Sequence, residues 1–130
     1  MNIVFDTDIE ELIISFDMEK MERIILNLIS NAVKFRKENK GKIIISITHN
    51  DEFVNIRVKD NGIGIPKESL NRIFERFYRV DKARSRDIGG TGLGLAITKH
   101  MVKSLGGNIE VNSILGVGSD FIVTIPQNTE

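Results

Sequence analysis

Residues 21–35, MERIILNLISNAVKF, fit an amphipathic helix whose apolar face is interrupted along one edge. At about 100° per residue, Asn27, Asn31 and Lys34 fall within roughly 60° of one another and point one way. Met21, Ile24, Ile25, Leu28, Ala32 and Phe35 fill the adjoining arc as the expected buried face, while Glu22, Arg23, Ser30 and Lys37 lie away from it. The polar stripe therefore borders the core. Two amides and an ammonium at such an edge can coordinate a hard cation through amide oxygen and neutralise a phosphate through Lys34. The plainer alternative is that the asparagines simply meet water.

This helix needs something to bury against, and 130 residues with 41% hydrophobic content supply it within a single domain, residues 1–130. The formal net charge is zero, from 18 basic and 18 acidic side chains, which argues against a general binder of nucleic acid or membrane surfaces. Cys is absent, so disulfides and thiolate metal sites are excluded. No long apolar run or signal-peptide pattern occurs.

Asn2 to Phe5 and Leu12 to Phe16 are expected as short strands joined by an acidic turn, with Asp17 as N-cap of a helix running to about Glu38. Residues 42–49, KIIISITH, alternate weakly as a β-branched strand. After a turn, residues 53–59 form another, with Phe53, Asn55, Arg57 and Lys59 on one face and Val54, Ile56 and Val58 on the other. That hairpin delivers Asp60 to the loop DNGIGIP, where Gly62 and Gly64 let the backbone turn sharply or approach a flat ligand closely. A hairpin tip could use the same glycines. Asp60 adds a carboxylate able to accept a hydrogen bond from an exocyclic amine such as that of adenine.

Residues 67–80 are expected to carry a short helix in which Ile73, Phe74 and Phe77 pack beside charged Glu75, Arg76 and Arg79. Residues 81–88, DKARSRDI, lack apolar periodicity and are expected to be mobile. A helix over Leu93 to Leu105 then puts GGTGLGL at its start, where free backbone N–H groups can receive phosphate oxygens. Two strands, Asn108 to Ser113 and Asp120 to Ile125, close the chain around the turn LGVGS. His49 and His100 have no Cys, His or carboxylate at ligand spacing and are expected on the surface.

In this order, NLISNAVKF, DNGIGIP, IFERFYR, GGTGLGL and GVGSDF resemble the N, G1, F, G2 and G3 boxes of sensor histidine kinases, over nearly the whole chain. The resemblance implies the Bergerat ATP-binding fold, an α/β two-layer sandwich with a mixed, mostly antiparallel sheet of about five strands packed on three helices. It implies ATP and Mg²⁺ as cofactors. Asn31 matches the asparagine that ligates Mg²⁺, Asn27 lies one turn before it, and Lys34 matches a phosphate-contacting lysine. Phe35 stands where the family often has an aromatic beside adenine; Asp60 matches the acceptor of the adenine amine, with Gly62, Gly64 and Ile65 on that wall. Tyr78 and Arg79 close the F box, and Arg79 matches a lid arginine that reaches the γ-phosphate. Gly90, Thr91, Gly92, Leu93 and Gly94 match the phosphate-binding G2 box, and residues 81–91 match the lid.

ATP-hydrolysing relatives such as gyrase and Hsp90 carry a Glu as general base where this chain has Asn27. An amide takes no proton near neutral pH, so the resemblance favours a kinase, with Asn27, Asn31, Lys34 and Arg79 as its catalytic set. Neither His49 nor His100 sits in a motif like the family's phosphoacceptor. The expected protein is thus the catalytic half of a longer kinase, unable to phosphorylate itself alone. Its expected partners are a dimerisation domain carrying the acceptor His and a response-regulator receiver domain. It is expected in the cytoplasm, whether or not the parent is anchored in a membrane. An ATPase of the gyrase type and an anti-sigma-type serine kinase are the alternatives.

Overall fold

Alternating apolar residues decide which face of each strand is buried. The computed structural model describes residues 2–7, 18–37, 41–78 and 94–126. They form β1 (Asn2–Thr7), α1 (Met18–Lys34), β2 (Lys42–His49), β3 (Phe53–Asp60), one 3₁₀ turn (Lys67–Ser69), α2 (Gly94–Ser104), β4 (Asn108–Ile114) and β5 (Gly118–Pro126). The five strands make one sheet in the order β1-β2-β3-β5-β4. β1 runs parallel to β2, and every other neighbour is antiparallel. The mixed, mostly antiparallel sheet is as expected; of the three helices expected, the described residues contain two α-helices and the single 3₁₀ turn.

Ile43 and Ile45, Val54, Ile56 and Val58, and Phe121, Val123 and Ile125 are buried on the sheet face that meets the helices. Met21, Ile24, Leu28 and Ala32 of α1 pack there with Met101 and Val102 of α2. Fully burying one such aliphatic side chain contributes about 1.5–3 kcal/mol, so this layer is the main source of stability. The expected outer residues Glu22, Arg23, Ser30 and Lys37 are exposed, as are both histidines. Lys20 Nζ donates to Ser104 Oγ at 3.1 Å, joining the start of α1 to the end of α2. The two helices pack against each other.

Four expectations change. α1 stops at Lys34 rather than near Glu38, because the Phe35 carbonyl, which would continue the helix, instead accepts the Ile63 N–H at 3.0 Å. Asp60 is the last residue of β3 rather than part of a loop, paired in register with Ser119. Residues 67–78 form successive turns, with Ser69, Arg72, Glu75 and Tyr78 N–H groups each donating three residues back, instead of an α-helix. Within them Ile73 is buried and Phe74 meets Phe121 edge-on at 6.3 Å, yet Phe77, expected to pack, is 69% exposed with φ of 66°. The positive φ turns its side chain outward, a conformation that costs a bulky residue about 1–2 kcal/mol. The expected strand at Leu12 to Phe16 lies outside the described residues.

Candidate nucleotide site

Three segments distant in sequence meet at one end of the sheet. The first is the end of α1. Asn27, Asn31 and Lys34 are all half-buried along one edge of the helix, and Phe35 follows them, half-buried too. The second is the turn after β3. Ile63 N–H bonds to the Phe35 carbonyl, and Gly62 passes so close that a Cβ there would lie 2.4 Å from the same oxygen. Only glycine permits that approach, which fixes the distance between the helix end and the loop.

Asp60 occupies the junction. Its Oδ1 accepts the Gly62 N–H at 2.8 Å. Burial pushes its carboxyl above the usual range, while the backbone N–H groups of Gly62 and Ser119 pull it down and Asp120 adds a smaller upward push. A half-buried carboxylate with open acceptor capacity, beside an apolar Ile63 and Ile65, is suited to an amine donor on a flat ring.

The third segment is the β4–β5 turn. Gly116 N–H donates to the Ile63 carbonyl at 2.7 Å, and Lys37 Nζ donates to the Gly116 carbonyl. Ile65 N–H donates to Ser113 Oγ at 2.8 Å. The loop after β3 is thereby held from both sides, by α1 and by the hairpin.

Tyr78 lies further along the chain, its hydroxyl paired with buried Ser69 Oγ at 2.7 Å and its ring under the Arg72 guanidinium at 4.7 Å. Gly94 opens α2, and among the described residues nothing lies within 4 Å of where its Cβ would be. Arg79, Gly90, Thr91, Gly92, Leu93 and the segment 81–91 lie outside the described residues. The structure therefore brings together Phe35, Asp60, Gly62, Gly64 and Ile65, with Lys34, Asn31 and Asn27 leading back along α1. Tyr78 is engaged with Ser69 and Arg72 instead.

This arrangement matches a family in which the same elements recur. Residues 16–129 fit the model of the histidine kinase-, DNA gyrase B- and HSP90-like ATPases. The chain belongs to that family. Among its relatives, sensor histidine kinase WalK of Bacillus subtilis (strain 168) is 48% identical over 122 residues, which is 92% of this chain and 20% of WalK. The chain thus spans about a fifth of that protein's length. The catalytic domain of histidine kinase ThkA superposes with a TM-score of 0.81 at 32% identity, covering 97% of this chain and 80% of that one. Full-length ShkA in complex with AMPPNP superposes at 0.82 with 31% identity, over 99% of this chain and 26% of ShkA.

Ser113 and Ser119 were not singled out by sequence reading, though a signal existed. Ser113 continues the inward positions of Ile109 and Val111, and Ser119 precedes inward Phe121, Val123 and Ile125. A hydroxyl at an inward position of a strand needs a partner.

Proposed function

We propose that this chain is the ATP-binding catalytic domain of a two-component sensor kinase. In this reading it holds Mg-ATP and presents the γ-phosphate to a histidine on a separate dimerisation domain, for onward transfer to a response-regulator aspartate. The observation that carries the reading is Asp60, a half-buried carboxylate at the meeting point of α1, the loop after β3 and the β4–β5 hairpin. Asp60 receives the adenine amine, and Phe35 and Ile65 flank the ring.

The donor set fits magnesium in a specific way. Among the described residues no three His, Cys, Asp or Glu side chains cluster into a cage for a cation. A single amide oxygen, from Asn31, is what Mg²⁺ needs when the nucleotide phosphates and water supply its other ligands. When bound there, Mg²⁺ neutralises charge on the β- and γ-phosphates. Lys34, one turn on from Asn31, adds an ammonium on the same edge, and Arg79 and the G2 residues 90–94 complete the phosphate contacts. Asn27 occupies the position from which a carboxylate would activate water. Its amide accepts no proton, so ATP is held for transfer rather than hydrolysed. This separates the reading from an ATPase of the gyrase type. No described helix is long and apolar enough to cross a membrane; in this reading the partners are an acceptor domain and a receiver domain.

The test is acid-labile label from γ-labelled ATP. The chain alone stays unlabelled, while an added dimerisation domain of its parent becomes labelled on histidine, and Asn31→Ala abolishes that labelling. Strong self-labelling, fast release of phosphate by the chain alone, or partner labelling that survives Asn31→Ala refutes the proposal.

A further inference from the structure

One hydroxyl ties the loop after β3 to the β4–β5 hairpin. Ser113 Oγ lies 2.8 Å from the Ile65 nitrogen, 2.9 Å from the Gly118 carbonyl and 2.8 Å from Ser119 Oγ. A serine hydroxyl has one proton and two lone pairs. The three contacts use all of them if Ser113 donates to Gly118 and accepts from both Ile65 N–H and the Ser119 hydroxyl. No capacity is left over for another partner.

The contacts around it are close enough to leave the loop no slack. Gly116 N–H holds the Ile63 carbonyl at 2.7 Å. A Cβ on Gly64 would fall 2.2 Å from the Ile114 carbonyl oxygen, and one on Gly118 would fall 2.0 Å from that of Asp60. Backbone meets backbone at both points. The loop is therefore seated in the hairpin, and Ser113 supplies the side-chain bond that locks the seat at Ile65. Remove the hydroxyl, and the Ile65 N–H, the Gly118 carbonyl and the Ser119 hydroxyl all lose a partner at a half-buried position.

We propose that Ser113 is a positioning residue for base recognition, holding Ile65 and the loop from Asp60 in the geometry that distinguishes adenine from other bases. This rests on the nucleotide-site reading above. Ser113 itself touches no ligand in it; its action passes through the Ile65 N–H and through Ser119, which is paired in register with Asp60. Precise placement matters because a single carboxylate reads the base, and a shift of the loop weakens the bond to the amine while leaving the phosphate contacts on α1 and α2 unaltered.

The experiment compares the intact chain with Ser113→Ala and Ser113→Thr by calorimetric titration with ADP and GDP and by amide exchange. Ser113→Ala is expected to weaken ADP roughly tenfold and GDP much less, so that the ADP-to-GDP preference falls, and Ile65 exchange accelerates. Ser113→Thr keeps the hydroxyl and restores both. In the unmodified chain, Ile65 and Gly116 amides gain protection together when ADP binds, while Glu52 at the far hairpin does not. A preference for ADP unchanged in Ser113→Ala overturns the inference, as does Ser113→Thr failing to rescue it. Should Ser113→Ala not fold, absence of joint protection at Ile65 and Gly116 overturns it alone. If the unmodified chain shows no preference for ADP over GDP, the nucleotide-site reading fails instead, which is a distinguishable result.

Discussion

Replacing Gly62 by alanine tests how the helix end and the loop after β3 are held together. The added Cβ would lie 2.4 Å from the Phe35 carbonyl oxygen and 2.9 Å from Asp60 Oδ1, and the first of these is backbone that cannot rotate away. The loop must then withdraw from α1. Withdrawal breaks the Ile63 N–H bond to Phe35 at 3.0 Å and strains the Gly62 N–H bond to Asp60 at 2.8 Å. A neutral backbone bond contributes about 0.5–1.5 kcal/mol and one to a carboxylate about 1.5–3 kcal/mol, so the loss is roughly 2–4 kcal/mol. Urea unfolding measures it, and titration with ADP on the folded fraction should show affinity lowered at least tenfold. Gly94→Ala is the control, since among the described residues a Cβ there meets nothing within 4 Å; at a helix position it should stabilise by up to about 1 kcal/mol. Gly62→Ala within about 0.5 kcal/mol of the unaltered protein, or Gly94→Ala as damaging as Gly62→Ala, would refute the reasoning.

Asp60→Asn should cost about 1.5–3 kcal/mol of ADP affinity by calorimetry, because the carboxylate's charge-assisted bond is lost with little change in shape. With its carboxyl pushed up by burial, Asp60 binds its proton more tightly folded than unfolded. Its contribution to stability is therefore full below the unfolded value and lost as pH rises through the folded one. ADP binding runs the other way, weakening as pH falls through that raised value, and Asp60→Asn should remove this dependence; affinity flat across that range in the unaltered chain would contradict it. Phe77→Gly should raise stability by about 1 kcal/mol in urea unfolding, since a positive φ of 66° strains Phe and its side chain is mostly exposed; a loss of stability would mean the ring packs in solution.

Much of the fold was legible because periodicity is a property of neighbours in sequence. Val54, Ile56 and Val58 fell on the buried face, and Met21, Ile24, Leu28 and Ala32 on the buried stripe, as their spacing required. What failed were features set by partners far along the chain. The end of α1 depends on Ile63 capturing the Phe35 carbonyl, and Asp60 belongs to β3 because β5 pairs with it through to Ser119. The turns over 67–78 are a local exception: their N–H groups bond three residues back, Phe77 has φ of 66°, and the Tyr78 hydroxyl pairs with Ser69. In the site, the motif residues of α1 and the loop were visible in the sequence, while the inward hydroxyls of Ser113 and Ser119 showed only that they need partners; those partners, the Ile65 N–H, the Gly118 carbonyl and each other, are brought near by the folded sheet.

The pairing of β3 with β5 has a consequence for when this domain can first meet its ligand. β2 and β3 form a local hairpin, but β5 must return from the far end of the chain to lie beside β3. Asp60 and Ser119 sit opposite each other at the end of that ladder. A nascent chain therefore carries Asp60 long before the strand that seats it has been synthesised. Nucleotide then selects only finished molecules, and at a hundred times its Kd adds about 2.7 kcal/mol against unfolding. In a cell rich in the ligand, β5, made after β2 and β3, closes both the sheet and the pocket, and occupancy of the pocket keeps that strand from leaving.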